Sequence, residues 1–284
     1  MLDVREALYG GAAGGGKSDA LLMAALQYAD VPGYSALLLR KTFADLSLPG
    51  ALMTRANEWL RPTFTQFSSN QHRWEFPSGA NLTFGYLDSV GAEYRYQSSE
   101  FQFIGFDELT QFREVQYRYL FSRLRRLEGS DVPLRMRSAS NPGGIGHEWV
   151  RSRFVDQTDA DGDRIFVPAT LADNPHLDSE SYIQSLEQLD PVTRQQLLNG
   201  DWTARQDGNL FKREWLPIVG ELPVAVNRSV RFWDLAATAA KENTDPDYTA
   251  GIRVDYGADG LYYVVDVQRC LLYTSPSPRD GLLS

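Results

Sequence analysis

The feature that most constrains this chain is a glycine-rich segment near its start, GAAGGGKS, which matches the pattern G-x-x-x-x-G-K-[ST] in full. It follows a short apolar strand candidate, EALYGG, and opens a run, KSDALLMAALQYA, whose apolar residues recur at helical spacing. Glycines between a strand and a helix let backbone N–H groups surround a phosphate, and the helix N-terminus adds a favourable field. The sequence therefore predicts a phosphate-binding loop in an α/β fold. The predicted loop consists of Gly11, Ala12, Ala13, Gly14, Gly15, Gly16, Lys17 and Ser18.

The lysine and the serine of this loop have separate predicted roles. Lys17 is expected to bridge the β- and γ-phosphates of ATP, and Ser18 is expected to ligate Mg²⁺. The plain alternative is a glycine-rich turn that happens to precede a lysine. The strand before the loop and the helix after it favour phosphate binding.

A second motif, FQFIGFDEL, places two acids at the end of another apolar strand. Asp107 is expected to hold the Mg²⁺ shell, and Glu108 to act as the general base for an attacking water. The alternative is an acidic pair that only caps the next helix. A phosphotransferase delivers phosphate to a bound acceptor, whereas hydrolysis needs a base for water. The second acid therefore indicates hydrolysis.

A third motif, SASNPGG, ends a further strand candidate. Ser140 and Asn141 can donate and accept hydrogen bonds near a γ-phosphate, and Pro142-Gly143-Gly144 permits a sharp turn. Alone, the motif predicts only a turn. After the two preceding motifs, and in that order, it predicts that Ser140 and Asn141 belong to the nucleotide site.

The rest of the chain supports this fold class. Strand candidates alternate with helix candidates, which predicts a mostly parallel sheet covered on both faces. RWEF and NLTFGYL predict a hairpin, one helical run is expected to reach Trp59, and an arginine-rich helix is expected from Tyr117 to Leu127. From about Thr170 two short helices are predicted, and three strands follow near the end of the chain.

Composition limits the remaining possibilities. The apolar stretches are shorter than the ~18–20 residues that a membrane span needs. The single Cys270 excludes an intramolecular disulfide and a multi-cysteine zinc site. A net charge of −9 argues mildly against a protein that coats DNA, although a local basic surface is enough for a protein that contacts DNA at one place.

The motifs YGGAAGGGKS, FIGFDEL, SASNPGG, DNPHL, LLNGDW and FWDLAAT, in this order, closely resemble those of tailed-bacteriophage terminase large subunits. The resemblance runs from about Tyr9 to Arg269. It implies a P-loop additional-strand ATPase domain at 1–170, a small lid or linker subdomain at 171–226, and the start of a ribonuclease-H-like nuclease domain at 227–269. The Ser/Pro-rich end, 270–284, is expected to be a non-native tail, or otherwise a disordered terminus.

The resemblance also implies partners and a place of action. It implies a packaging motor for double-stranded viral DNA, in which SASNPGG couples ATP hydrolysis to DNA movement. The expected partners are the portal protein, a small terminase subunit and further copies of the chain in a ring of five. The expected location is the cytoplasm of the host bacterium, without membrane attachment.

Two departures from the family pattern concern the ATPase. Relatives carry an arginine in the phosphate loop, where this chain has Ala12-Ala13. Arg95 in EYRYQSSEF is the candidate for an arginine finger supplied to a neighbouring subunit, and Arg123 and Arg40 are the other candidates. For each of the three, the alternative is an ordinary surface arginine without this role. The upstream glutamine with which relatives contact adenine has no counterpart before the first strand.

A third departure concerns the nuclease. Two-metal cleavage needs several carboxylates around ions ~4 Å apart. Asp234 in FWDLA matches the family's first-strand aspartate and is expected to ligate Mg²⁺ or Mn²⁺. The family's further carboxylates lie downstream, so this chain alone is expected not to cut DNA. Asp247, Asp255 and Asp266 are expected to be edge or turn residues rather than those ligands.

Two other functions remain open on the sequence. A helicase-type ATPase would explain the phosphate loop and the acids, but not FWDLAAT after DNPHL and LLNGDW. A nucleotide-binding module without turnover is the alternative from a different class. Phosphate release measured with and without DNA separates these possibilities.

Overall fold

A computed structural model describes residues 4–156, 162–204, 215–222, 225–234 and 249–270. The chain divides into two compact units, Met1–Gln206 and Asp207–Ser284. The predicted tail from residue 271 onward lies outside the described residues. None of the described helices has the length and hydropathy that crossing a bilayer requires.

The first unit is built on an eight-stranded sheet. Its strands are β1 (Glu6–Gly11), β2 (Ser35–Arg40), β3 (Gln66–Ser68), β4 (Arg73–Glu75), β5 (Asn81–Tyr86), β6 (Phe103–Asp107), β7 (Arg135–Ser140) and β8 (Arg164–Ala169). Its α-helices are α1 (Lys17–Leu26), α2 (Phe43–Ser47), α3 (Leu52–Leu60), α4 (Glu114–Phe121), α5 (His147–Val150), α6 (Ser179–Leu186) and α7 (Pro191–Leu198).

The strand order is β3-β4-β5-β2-β6-β7-β1-β8, and the strands from β5 to β8 in this order run parallel. β7 lies between β1, which leads into the glycine-rich loop, and β6, which ends in the acids. The predicted mostly parallel α/β fold with an additional strand is confirmed. Because parallel strands end at the same edge of a sheet, the three motifs meet there.

Both faces of this sheet are covered by apolar side chains. On one face, Leu22 of α1 and Leu52 of α3 pack in a cluster with Leu38 of β2. On the other face, Phe106 of β6 packs with Phe112 and with Tyr117 of α4. Central parallel strands are buried on both sides, which is why SALLLR and FIGFD are apolar almost throughout.

The structure differs from the predicted elements in three places. The expected single helix to Trp59 is two helices, α2 and α3, because Pro49-Gly50 interrupts it and Gly50 has φ 77°. The expected helix from Tyr117 to Leu127 begins and ends earlier, as α4, and backbone bonds then join Arg123 and Arg125 to Phe101. The strands β3 and β8 were not predicted.

The second unit contains an antiparallel sheet in the order β11-β10-β9, formed by β9 (Val226–Asp234), β10 (Thr249–Gly257) and β11 (Tyr262–Cys270). The three predicted strands are confirmed. The predicted hairpin turn between the last two is also present, with Gly260 at φ 80°.

A buried ion pair anchors the start of β1. Glu6 is 7% exposed and accepts two hydrogen bonds from Arg153, from Nε at 2.9 Å and from Nη2 at 2.8 Å. The Tyr117 hydroxyl donates a third at 3.0 Å. These bonds tie β1 to α4 and to the helical turn after α5, at the edge of the sheet opposite the three motifs.

We predict that Glu6→Gln lowers the free energy of unfolding by about 3 kcal/mol, because it removes the buried partner of the pair and leaves the partly buried guanidinium of Arg153 without its counter-charge. Urea denaturation followed by fluorescence measures this loss. The matched control is Glu100→Gln, whose pair with Arg125 is exposed and is expected to contribute at most about 1 kcal/mol. Equal stability of the two variants would contradict the prediction.

Candidate active site

Three glycines give the loop between β1 and α1 its shape. Gly11, Gly14 and Gly16 have φ values of 141°, 77° and 71°. At Gly11 a Cβ atom would also lie 2.5 Å from the carbonyl oxygen of Ala169 in β8. Other residues are strained at such φ values, so the glycines are required by the backbone itself. The loop curls around the N-terminus of α1, as a phosphate-binding loop does.

Lys17 lies buried inside this curl. Its Nζ donates a hydrogen bond to the carbonyl oxygen of Ala12, at the start of the loop. Burial lowers the pKa of Lys17, while the nearby charges of Glu108 and Asp107 act in the opposite direction. The predicted phosphate-binding lysine therefore lies close enough to the two predicted acids for their charges to interact.

Asp107 is the most buried of these charged groups, with 1% of its side chain exposed. Its Oδ1 accepts a hydrogen bond from Ser18 Oγ at 2.9 Å. Its Oδ2 lies 2.9 Å from Arg40 Nε, an ion pair that lacks hydrogen-bond alignment. Burial raises the pKa of Asp107, and Arg40 is the largest opposing influence. The hydroxyl of Ser18 and the carboxylate of Asp107 form the oxygen-rich donor set that Mg²⁺ prefers, so these residues fit the ion.

Glu108 occupies an unusual backbone position. It has φ 58° and precedes a short 3₁₀ turn, Leu109–Gln111. Burial raises the pKa of its carboxyl group, and Asp107 raises it further, whereas Arg40, Lys17 and the backbone N–H of Asn141 favour the charged form. A left-handed glutamate is uncommon, and this strain is consistent with a functional position.

The loop after β7 is bonded to the loop after β6. Ser140 Oγ accepts a hydrogen bond from the backbone N–H of Thr110 at 3.1 Å and lies 3.0 Å from Thr110 Oγ1. Ser140 is completely buried, so its hydroxyl joins the two loops. Asn141 Oδ1 is also buried and has no hydrogen-bond partner among the described residues.

The residues of DNPHL and LLNGDW pack onto the phosphate loop, a role that the sequence did not indicate. Asn174 Nδ2 donates to the Gly14 carbonyl at 2.7 Å, and the Ala13 N–H donates to the Leu197 carbonyl at 2.7 Å. At Gly200 a Cβ atom would lie 2.5 Å from the Ala12 nitrogen. Both motifs therefore support the loop from outside.

Helix α6 reaches the same loop. A Cβ atom at Gly14 would lie 2.6 Å from Leu177 Cδ2 and 3.3 Å from Tyr182 Cε1. Burial raises the pKa of Tyr182, and Glu108 adds to this shift. Helical spacing alone does not indicate which face of a short helix meets a loop far away in the chain, so Tyr182 was missed.

The structure does not bring Arg95 to this cluster. Its guanidinium pairs with Asp88 at 2.7 Å, lies 4.6 Å from the centre of the Tyr86 ring, and is 44% exposed. Arg123 lies over the ring of Tyr119. Of the three arginine candidates, Arg40 is the one in contact with an acid of the site.

Within the second unit, the described carboxylates lie at different places on the three-stranded sheet. Asp234 ends β9, opposite Ala250 of β10. Asp255 accepts bonds from Ser229 and from Arg253, and Asp266 pairs with Arg231. Asp255 is buried on the middle strand, so its expected place at an edge or in a turn is wrong. Asp247 lies outside the described residues.

Within the part of the chain that the structure describes, no group of three or more His, Cys, Asp or Glu side chains is placed to hold a metal ion.

The chain also matches a known protein family along most of its length. The profile of the terminase large subunit, T4-like-virus type, N-terminal region, matches residues 8–218. The chain belongs to this family. No curated protein sequence matches it significantly.

Solved structures show the same fold. The large terminase of the thermophilic bacteriophage D6E has a TM-score of 0.60 and 14% identity, over 94% of this chain and 63% of its own. The same D6E protein in complex with ATP-gamma-S has a TM-score of 0.59 and 15% identity, over the same shares. The large terminase of bacteriophage HK97 has a TM-score of 0.53 and 13% identity, over 94% of this chain and 59% of its own. The terminase chain thus spans less than two thirds of these relatives.

If Glu108 is the general base for ATP hydrolysis, its raised pKa predicts how turnover depends on pH. A general base acts in its charged form, and a raised pKa means that this form is lost at a higher pH than for an ordinary glutamate. We therefore expect kcat/KM for ATP hydrolysis, measured from about pH 5 to pH 8, to fall on the acid side above the usual glutamate range. Glu108→Gln is expected to abolish this acid limb. An unchanged limb in that variant would assign it to another group.

Proposed function

We propose that this terminase chain binds and hydrolyses ATP at the edge where β1, β6 and β7 end, and that hydrolysis drives double-stranded viral DNA into a procapsid. The observation that carries this proposal is the convergence of Lys17, Ser18, Asp107 and Glu108 around one loop. A lysine and a helix N-terminus suit the phosphates, and two acids suit hydrolysis. The complex of the D6E relative with ATP-gamma-S supports ATP as the nucleotide.

Each residue has a role that follows from its place. Lys17 neutralises phosphate charge once the bond to the Ala12 carbonyl is exchanged for phosphate oxygens. Ser18 and Asp107 would hold Mg²⁺, and the ion would polarise the phosphates. Glu108 orients the attacking water and accepts its proton, because its partly buried carboxylate is more basic than an exposed one.

The remaining parts of the proposal rest on family membership. Asn141, whose Oδ1 has no partner among the described residues, is the proposed γ-phosphate contact. The proposed partners are DNA, the portal protein, a small terminase subunit and a ring of five copies, in the host cytoplasm. The sheet β9–β11, with Asp234 at the end of its first strand, is proposed to begin a ribonuclease-H-like nuclease domain.

A first experiment separates binding from hydrolysis. Lys17→Ala is expected to lose both nucleotide affinity and turnover, because phosphate charge goes uncompensated. Glu108→Gln is expected to bind ATP normally and to hydrolyse it about 10²-fold more slowly or worse. Equilibrium binding of a fluorescent ATP analogue and phosphate release, each with and without duplex DNA, give the two readings.

The outcomes also separate the alternatives. Binding without turnover in the unaltered chain, with or without DNA, would favour a nucleotide-binding module. Stimulation by single-stranded but not duplex DNA would favour a helicase-type ATPase. Unchanged turnover in Glu108→Gln would remove this residue from the mechanism.

A second experiment tests Arg95 as a finger supplied to a neighbour. Arg95→Ala is expected to bind ATP normally but hydrolyse it slowly, because transition-state charge is left uncompensated. Mixing it with Glu108→Gln is expected to restore some turnover, since each subunit supplies what the other lacks. Asp88→Asn is the matched control, because it removes the same ion pair but keeps the arginine. Wild-type turnover in Arg95→Ala would move the role to Arg40 or Arg123.

A further inference from the structure

One buried histidine joins two segments that border the nucleotide site. His147, the first residue of α5, is 7% exposed. Its Nδ1 accepts a hydrogen bond from the backbone N–H of Gly143 at 2.8 Å. Its Nε2 lies 3.1 Å from the carbonyl oxygen of Trp202. A neutral imidazole with its proton on Nε2 satisfies both bonds at once.

The first of these segments is the loop after β7, which faces the acids. Gly143 lies two residues after Asn141, whose backbone N–H supports the charged form of Glu108. The loop is also bonded to the loop that follows Glu108, since the Gly146 N–H donates to the Thr110 carbonyl at 2.7 Å. Fixing Gly143 therefore helps to fix the group that supports the general base.

The second segment follows α7 and supports the phosphate loop. Trp202 is 4% exposed, and its ring is stacked on His147 at 5.5 Å with an interplanar angle of 27°. A Cβ atom at Gly10, the β1 residue just before the phosphate loop, would lie 3.1 Å from Trp202 Cζ2. Trp202 therefore lies between the base of the phosphate loop and His147.

We propose that His147 is a positioning residue for ATP hydrolysis: it holds the loop after β7 against Glu108 and links that loop to Trp202 and the phosphate loop. The inference rests on the proposed function. His147 has no predicted contact with the nucleotide itself. It acts through Gly143 on one side and through Trp202 on the other, so that a change at either segment moves the same ring.

Two substitutions of His147 test its hydrogen bonds to Gly143 and to Trp202 separately. His147→Phe keeps a flat ring beside Trp202 but makes neither bond. His147→Asn keeps an acceptor near Nδ1 for Gly143 and loses the bond to Trp202. Glu148→Gln, an exposed neighbour on the same helix, is the matched control. Thermal unfolding of each variant shows whether it is folded at the assay temperature.

Steady-state hydrolysis is the first reading. We expect His147→Phe to lower kcat about tenfold, because a loosened loop misplaces the base. Its KM for ATP is expected to stay within about twofold, since the phosphate contacts are intact. His147→Asn is expected to recover most of kcat. Wild-type kcat in His147→Phe, or a loss that His147→Asn fails to recover, would overturn the positioning role.

The second measurement tests whether His147 couples the nucleotide site to Trp202. In protein labelled with 5-fluorotryptophan, the ¹⁹F resonance missing from Trp202→Phe belongs to Trp202. We expect this resonance to shift between the ADP-bound and ATP-gamma-S-bound protein, and to shift much less in both His147 variants. An equal shift in His147→Phe would overturn the link. If unaltered protein neither binds nor hydrolyses ATP, the proposed function fails instead, which is a distinguishable result.

Discussion

The rest of the site depends on the burial of one carboxylate. Asp107 is almost out of contact with water, and a buried charge is tolerated only where it is paired and hydrogen-bonded. Ser18 at the start of α1 and Arg40 at the end of β2 supply those partners. Three elements far apart in the chain are therefore held at fixed distances around one side chain, and the glycine-rich loop and the second acid take their positions from them.

A second constraint comes from the backbone of the phosphate loop. A loop that must keep N–H groups for a ligand cannot satisfy all of its polar atoms internally, so its outer side needs partners. Here the Leu197 carbonyl receives the Ala13 N–H, and the Asn174 amide bonds the Gly14 carbonyl. Residues after β8 thus stabilise the loop from outside. DNPHL and LLNGDW each contribute one of these contacts.

Much of the site was predictable because its residues obey local rules. A loop with left-handed backbone positions needs glycine, and an acidic pair after a buried strand marks the edge of a parallel sheet. Arg40 and Tyr182 follow no such rule. An arginine after a strand and a tyrosine on a short helix are ordinary in sequence, and only their contacts with Asp107 and Gly14 distinguish them. Arg95 pairs with Asp88 in its own chain, and its predicted role as an arginine finger concerns a contact with a neighbouring subunit, so that role stays a prediction.

The sequence by itself determined the local elements around the site: β1, the glycine-rich loop, α1, the acidic end of β6 and the turn after β7. Each rests on periodicity, glycine backbone freedom or strand burial, which act over a few residues. Only the tertiary structure decided the insertion of β7 between β1 and β6, the pairing of Arg40 with Asp107 and the bridge through His147. These contacts join residues that lie far apart in the chain, and their stability comes from packing and buried charge rather than from local preference.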